Sequence, residues 1–275
     1  MKPAHRRQKG RPALDLIEEA VHLLRTAPAA ALAAYYAGSL PFILGLLYFW
    51  TDMSRSPFAR QRVVEAALGV SLLFIWMKFC QALFARRLRA HIAGEAPARL
   101  DLKRCGQILF TQATLQPTGL FVLPLAVLPV LPLLWVYALY QNLTALADTD
   151  VPGTRALLRN AARHASLWPG QNALALGYLA VFGLFVFLNA LLASAAVPML
   201  LKSLLGLETV FSRGGLALLN TTFFAAMFSL TYLCVDPILK TVYVLRCFYG
   251  ESIQSGADLR AELRRHAATP LRHAA

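Results

Sequence analysis

Charged side chains are scarce in this chain of 275 residues. Asp, Glu, Lys and Arg make up 15% of it, whereas a soluble domain carries about 25%. Acidic residues are rarer than basic ones, with 14 Asp and Glu against 27 Lys and Arg. The shortage of charge excludes an ordinary soluble protein. Because the basic residues flank apolar runs and form no groove-sized patch, we expect anionic lipid headgroups rather than nucleic acid as their partner.

Signatures of catalysis are also missing. The chain contains no G-x-x-x-x-G-K-[ST], no H-E-x-x-H and no G-x-S-x-G, which mark phosphate-binding loops, zinc proteases and serine hydrolases. Its four cysteines have no metal-ligand spacing, and its six histidines form no ligand set. We therefore predict a protein that is not an enzyme, with no catalytic residue, no metal and no cofactor.

Long uncharged runs take the place of these features. Four stretches of 26, 43, 38 and 22 residues carry no charge, and a helix needs about 20 apolar residues to cross a bilayer. The runs predict an all-α, polytopic membrane helix bundle with additional interfacial amphipathic helices. Its expected transmembrane helices, about six, cover 28–50, 63–85, 105–123, 129–147, 172–197 and 215–236.

The longest run, 105–147, has three prolines in its middle. A proline inside a helix removes a hydrogen bond and costs about 3 kcal/mol. Two helices would accommodate them, with Pro124 ending the first helix. Pro129 and Pro132 would then lie in the first turn of the second, where a missing N–H costs little. We therefore expect a two-span hairpin in this run.

An alternative fold for the same run is an interfacial segment at 100–116 followed by a single span at 119–141. Three glutamines support this alternative: Gln107, Gln112 and Gln116. The positive-inside rule favours the hairpin. Six spans with a cytoplasmic N-terminus place 21 of the 27 basic residues inside and five outside, whereas five spans give 14 and 12.

This topology divides the chain into three regions and gives it a location. Arginine outnumbers lysine 21 to 6, which is typical of a GC-rich bacterial source. We expect a multi-pass protein of the bacterial inner (cytoplasmic) membrane with both termini in the cytoplasm. In the interfacial helix, one apolar face is formed by Leu14, Ile17, Val21 and Leu24. The regions are a cytoplasmic basic tail with this helix (1–27), the membrane domain (28–236) and a cytoplasmic amphipathic segment (237–275).

Two charged residues lie within the predicted spans at the inner level of the bilayer. Lys78 belongs to the second span, and Asp236 ends the sixth. A charge at bilayer depth costs about 2.5–3.5 kcal/mol on insertion scales, so charges in spans tend to pair. Lys78 and Asp236 are thus a candidate intramembrane ion pair. The alternatives are a Lys78 side chain that reaches the headgroups and an Asp236 that pairs with Lys240 one helical turn later.

Three arginines recur at every fourth residue in the loop before the fifth span. On a helix, Arg155, Arg159 and Arg163 would form one basic stripe. Each basic residue near an anionic membrane surface contributes about 1 kcal/mol of attraction. We expect this stripe to bind lipid headgroups.

The C-terminal part "DPILKTVYVLRCFYGESIQSGADLRAEL" (236–263) and the loop "TRALLRNAARHASLWPGQN" (154–172) carry a family resemblance. Over about residues 105–263 the chain resembles bacterial six-helix inner-membrane proteins related to YciC-like proteins and to the membrane domain of glycerophosphodiester phosphodiesterases. The resemblance implies six spans. It implies no lipid hydrolysis, because in the phosphodiesterases that chemistry resides in a separate soluble barrel. No soluble stretch of this chain is long enough to form such a barrel. The matching C-terminal positions are Pro237, Tyr243, Arg246, Gly256, Asp258 and Leu259.

These observations lead to two functional expectations. The first is a non-catalytic structural or assembly component that contacts anionic lipid and other membrane proteins. The alternative is a transporter or permease for a lipid or small apolar solute. Transporters often contain matched broken helices in two halves, and only 105–147 is broken by several prolines here, which favours the first expectation.

Overall fold

The computed structural model describes residues 10–95, 100–127, 132–148, 153–208, 220–256, 259–260 and 263. No strand occurs in these ranges, so the prediction of an all-α bundle is confirmed. The helices are α1 (Ala13–Thr26), α2 (Ala29–Arg55), α3 (Ala59–Ala93), α4 (Leu102–Leu115), α5 (Gly119–Val127), α6 (Leu133–Ala145), α7 (Thr154–Ala165), α8 (Pro169–Leu205) and α9 (Thr221–Ser255).

Five helical stretches of the described chain are long and apolar enough to cross a bilayer. They are α2, α3, α4 together with α5, α8, and α9 as far as Ile253. Several such helices in one chain make this a multi-pass membrane protein. The fourth predicted span, 129–147, corresponds to α6, whose 13 residues extend about 20 Å. That length is shorter than the roughly 30 Å of hydrocarbon in a bilayer.

The region 102–145 folds back on itself as an antiparallel hairpin. The Gln112 side chain donates to the Leu143 carbonyl (3.2 Å), and Gln116 donates to the Tyr140 carbonyl (3.2 Å). As residue numbers increase from 112 to 116 on α4, their partners on α6 decrease from 143 to 140, so the two helices are antiparallel. Gln112 and Gln116, which supported the alternative fold, join the two arms of the hairpin. Of the two described arms, only the first, Leu102–Val127, is long enough to cross a bilayer, so the two-span form of the hairpin stays a prediction.

The prolines of the hairpin do not act as predicted. Pro124 lies inside α5 rather than at a helix end, and Pro132 precedes the first residue of α6. The first arm is interrupted earlier, at 116–118, where Pro117 has no N–H to donate to the Ala113 carbonyl one turn before it. Gln116 itself keeps helical backbone (φ −67°, ψ −39°). Pro129 lies outside the described residues. The break at Pro117 was not anticipated, since only prolines in the middle of the run were considered.

One end of the bundle is tightly packed, and we call it the packed end. It contains α1, α7, the start of α8 and the C-terminal halves of α3 and α9. Arg89 on α3 pairs with Glu251 on α9 at 2.5 Å, and the Tyr249 hydroxyl donates to Glu19 on α1. The hairpin begins and ends at this end too, because Arg104 contacts Asp148 at 2.5 Å. The described chain thus starts and finishes at the same end.

The opposite halves of the long helices expose apolar side chains, as lipid-facing segments do. Leu44 on α2 is 64% exposed, Leu68 on α3 61% and Leu192 on α8 67%. Helix α1 has apolar residues on two faces. Leu14 and Val21 of its predicted apolar face are exposed, and the face that packs on α8 and α9 instead consists of Ala13, Leu16, Ala20 and Leu23.

A proline lies inside α2, and a neighbouring helix compensates for it. Pro41 has no N–H for the Ala37 carbonyl one turn earlier. The indole N–H of Trp76 on α3 donates to that carbonyl at 3.1 Å. A hydrogen-bond donor from a neighbouring helix allows a proline within a membrane helix, since lipid offers no hydrogen bond to the free carbonyl.

The last helix also continues through a proline. The predicted sixth span ends at Asp236, whereas α9 passes through Pro237 and ends at Ser255, before Gly256 with its left-handed backbone (φ +61°). Pro237 leaves the Leu233 carbonyl without its helical donor, and the hydroxyl of Tyr36 donates to it at 3.3 Å. The extension carries Lys240 and Arg246 inside the bundle. The predicted span start at 215–219 lies outside the described residues.

We expect Trp76→Phe to lower the free energy of unfolding by about 1 kcal/mol, since hydrogen bonds between membrane helices contribute about 0.6 to 1.7 kcal/mol. The loss should disappear in a Pro41→Ala background, where the backbone N–H at position 41 replaces the indole. Unfolding of the detergent-solubilised protein measures both. The control is Trp50→Phe, because Trp50 is exposed to the same degree as Trp76 (45% against 46%) and its indole makes no hydrogen bond in the described structure. An equal loss in both backgrounds would show that Trp76 does not compensate for Pro41.

Candidate functional site

A polar cavity of about 210 Å³ lies within the bundle between α3, α5, α6 and α9. Its lining contains two lysines, one aspartate, three tyrosines and two glutamines, together with apolar residues. The residues are Phe74, Lys78, Gln116, Gly119, Leu120, Leu123, Tyr137, Tyr140, Gln141, Tyr232, Asp236 and Lys240. We call it the polar cavity.

Helical periodicity explains why one helix supplies three of these residues. Tyr232, Asp236 and Lys240 are spaced four apart on α9 and so lie on one face. The pair Tyr137 and Gln141 follows the same spacing on α6. This spacing was visible in the sequence. It was missed because Lys240 was assigned to a cytoplasmic segment beyond the last span.

Asp236 is buried, and neutral groups from two other helices hydrogen-bond to it. Its Oδ2 accepts from the Tyr35 hydroxyl at 2.7 Å and from Gln81 Nε2 at 3.3 Å. Gln81 Nε2 also lies 3.1 Å from the Tyr232 hydroxyl. A carboxylate removed from water requires such donors, because an unpaired buried charge is costly. Asp236 is therefore satisfied on the side facing α2 and α3.

Lys78 and Asp236 reach the same cavity, but Gln81 lies between them. The Lys78 ammonium is 3.5 Å from Gln81 Oε1 and lies 5.4 Å from the centre of the Phe74 ring. Among the described residues, no salt bridge within 4.0 Å joins Lys78 to Asp236. The structure thus brings the two predicted residues together through an amide rather than by direct contact.

Lys240 is the second ammonium of the cavity and is only 4% exposed. Its Nζ donates to Gln141 Oε1 on α6 at 2.5 Å. The alternative of an Asp236–Lys240 pair along α9 is not seen among the described salt bridges. The polar cavity therefore contains two amines and one carboxylate, and each side chain bonds to a neutral partner.

The arginine stripe lies on α7, where the sequence placed it. Arg155, Arg159 and Arg163 are all exposed, while Leu157 and Ala161 on the opposite face are buried. The stripe is at the packed end, away from the polar cavity. The structure therefore separates the two predicted sites.

Both segments that carry the family resemblance meet in a second buried polar cluster. Asn172 Oδ1, at the start of α8, accepts from the Tyr243 hydroxyl at 2.8 Å and from the guanidinium of Arg246. Arg246 also donates to the Leu167 carbonyl at 2.8 Å. This cluster ties α8 and α9 to the end of α7. Asp258 lies outside the described residues.

A third polar feature is His164, which lines a surface cavity of about 440 Å³ with Arg163 and Glu251. Its Nδ1 lies 2.9 Å from the Asn160 carbonyl, and its Nε2 is buried with no partner in the described structure. Burial lowers the pKa of His164 below its usual 6.5, so the ring is neutral at pH 7. Within the described ranges, no three His, Cys, Asp or Glu side chains are grouped to hold a metal ion.

The chain matches no protein-family model, no curated protein and no solved structure. The resemblance to YciC-like and phosphodiesterase-associated membrane proteins accordingly stays a prediction. The geometry of the polar cavity is therefore the basis for a proposed function.

We expect Tyr35→Phe to lower the free energy of unfolding by about 1.5 kcal/mol, because it removes a hydrogen bond to a buried carboxylate. In an Asp236→Asn background the loss should shrink, since the acceptor no longer carries charge. Thermal unfolding in detergent measures both effects. Tyr48→Phe is the control, because Tyr48 is 68% exposed. If Tyr35→Phe proved as neutral as this control, the bond would not stabilise the bundle.

Proposed function

We propose that this chain is a non-enzymatic integral membrane protein that binds a lipid or other small amphiphile in the polar cavity, as a step in its transport. The observation that carries the proposal is three ionisable side chains around one cavity between membrane helices. Ionisable residues at bilayer depth are costly and commonly mark substrate pathways. Packing of the helices alone does not require three such residues around one cavity.

The rim of the polar cavity supports a ligand that arrives from the bilayer. Phe74, Leu120 and Leu123 line it beside the polar groups, and Leu120 is 62% exposed on a lipid-facing helix. An amphiphile could place its polar part against the amines while its apolar part stays against these side chains. A combination of apolar walls with a few convergent polar groups is typical of ligand sites.

The proposal extends to location and orientation. Most of the basic residues that the structure describes lie in segments that meet at the packed end, which by the positive-inside rule faces the cytoplasm. The protein would then lie in the bacterial inner membrane with both termini in the cytoplasm. The polar cavity would open toward the cytoplasmic leaflet.

The arginine stripe favours a second candidate function, a structural or assembly component without a transported ligand. Its three guanidinium groups are exposed beside the membrane-spanning region, where they would contact anionic headgroups or an acidic surface of another membrane protein. This role needs no ligand in the polar cavity.

Filling the polar cavity distinguishes the two candidates. Leu123→Trp adds volume to the lining and should release the lipid that copurifies with the protein. Leu125→Trp is the matched control, because Leu125 is two residues away on α5, 53% exposed and not part of the lining. Lipid retained after stringent detergent washing is measured by mass spectrometry. Equal retention in both variants would contradict binding in the cavity and favour the structural role.

A further inference from the structure

We infer that the polar cavity binds the anionic headgroup of a membrane lipid, an inference that rests on the proposed function and names its ligand class. The lining contains two amines, Lys78 and Lys240, and one carboxylate, Asp236. A ligand that carries one negative charge would balance the cavity. A neutral or cationic ligand would leave the excess amine unbalanced in a medium of low dielectric constant.

The donors that an anion needs are still available. A protonated lysine has three N–H donors and no acceptor. In the described structure, Lys240 uses one donor on Gln141 at 2.5 Å, and Lys78 has one long contact to Gln81 at 3.5 Å. The remaining donors of both residues can point into the cavity that they line. Oxygens of a phosphate would meet charge-assisted hydrogen bonds there.

Asp236 does not compete for these amines. Its Oδ2 accepts from Tyr35 and Gln81, both neutral, and no described salt bridge connects it to either lysine. The Oδ2 atom of Asp236 is therefore held by α2 and α3, although Asp236 lines the cavity together with both amines. An anion could approach Lys78 and Lys240 without displacing an existing ion pair.

The depth of the two lysines favours a lipid over a free anion. Lys78 and Lys240 each lie 19 residues from the first residue of their helix, which is about 28 Å along the axis. Each of these helices has 35 residues, so both amines lie past its midpoint, in the half nearer the packed end. They are therefore inside the bundle but on the side of the leaflet whose headgroups meet the packed end.

The volume of the cavity suits a headgroup and not a whole lipid. About 210 Å³ is less than the roughly 300–1,000 Å³ of pockets that enclose drug-sized ligands. The acyl chains would remain outside, against Phe74 and Leu120 at the rim. Because a free phosphate makes no use of such a rim, the geometry points to a lipid.

The test compares binding of two lipids, palmitoyl-oleoyl phosphatidylglycerol and palmitoyl-oleoyl phosphatidylcholine, to the delipidated full chain by native mass spectrometry. We expect the anionic lipid to bind at least tenfold more tightly. The double variant Lys78→Met/Lys240→Met should abolish this preference, whereas Lys78→Arg/Lys240→Arg should keep most of it. Lys103→Met, at an exposed position outside the cavity, is the matched control and should change nothing.

Each other outcome contradicts a specific part of the inference. Equal affinity of the wild-type chain for both lipids would contradict a preference for an anionic headgroup. This comparison does not depend on the folding of any variant. A preference that survives the double methionine variant would overturn the role of the two lysines. If millimolar inorganic phosphate displaced the bound anionic lipid as effectively as added lipid does, the ligand would be a free anion rather than a lipid. If both lipids bind equally and Leu123→Trp abolishes both, the proposed function stands and only the inference fails.

Discussion

Apolar helices gain little by leaving lipid for one another, so polar contacts and close packing must hold this bundle together. Those contacts are concentrated at the packed end. Asp148 accepts from Arg86 and Arg104, both at 2.5 Å, and so joins α3 and α4 to the turn after α6. Gly38 on α2 lies so near Cys80 on α3 that an added Cβ would approach within 2.5 Å of its side chain. The other ends of the long helices are left free to face lipid.

The same constraint explains how the spans tolerate proline. A carbonyl that a proline deprives of its donor cannot turn to water inside the bilayer. Trp76 supplies that donor for α2 and Tyr36 for α9, and each bond joins two helices as well as repairing one. The polar cavity lies beside these contacts. Its two amines retain hydrogen-bonding capacity beyond what the surrounding helices use.

Features that depend on local sequence could be predicted, and features that depend on adjacency could not. Uncharged runs indicated the long helices, and charge counts favoured a hairpin at 102–145, since both signals follow directly from the apolarity of lipid. Spacing alone placed Arg155, Arg159 and Arg163 on one face. In contrast, Gln81 lies between Lys78 and Asp236 because α3 and α9, some 150 residues apart in sequence, pack side by side. No local pattern records that contact. The burial of Lys240 was missed for a related reason. The sixth span was ended at Asp236, whereas α9 continues through Pro237, and the bond from Tyr36 that compensates for this proline depends on tertiary structure.

The central claim is that Lys78 and Lys240 face a cavity which a lipid headgroup occupies. An experimental structure of the chain in nanodiscs that contain phosphatidylglycerol tests it most directly. The account predicts density for a phosphate within hydrogen-bonding distance of both ammonium groups, continuous with acyl-chain density along Phe74 and Leu120. A cavity closed by its own side chains, or direct salt bridges from both lysines to Asp236 with no lipid density, would contradict it.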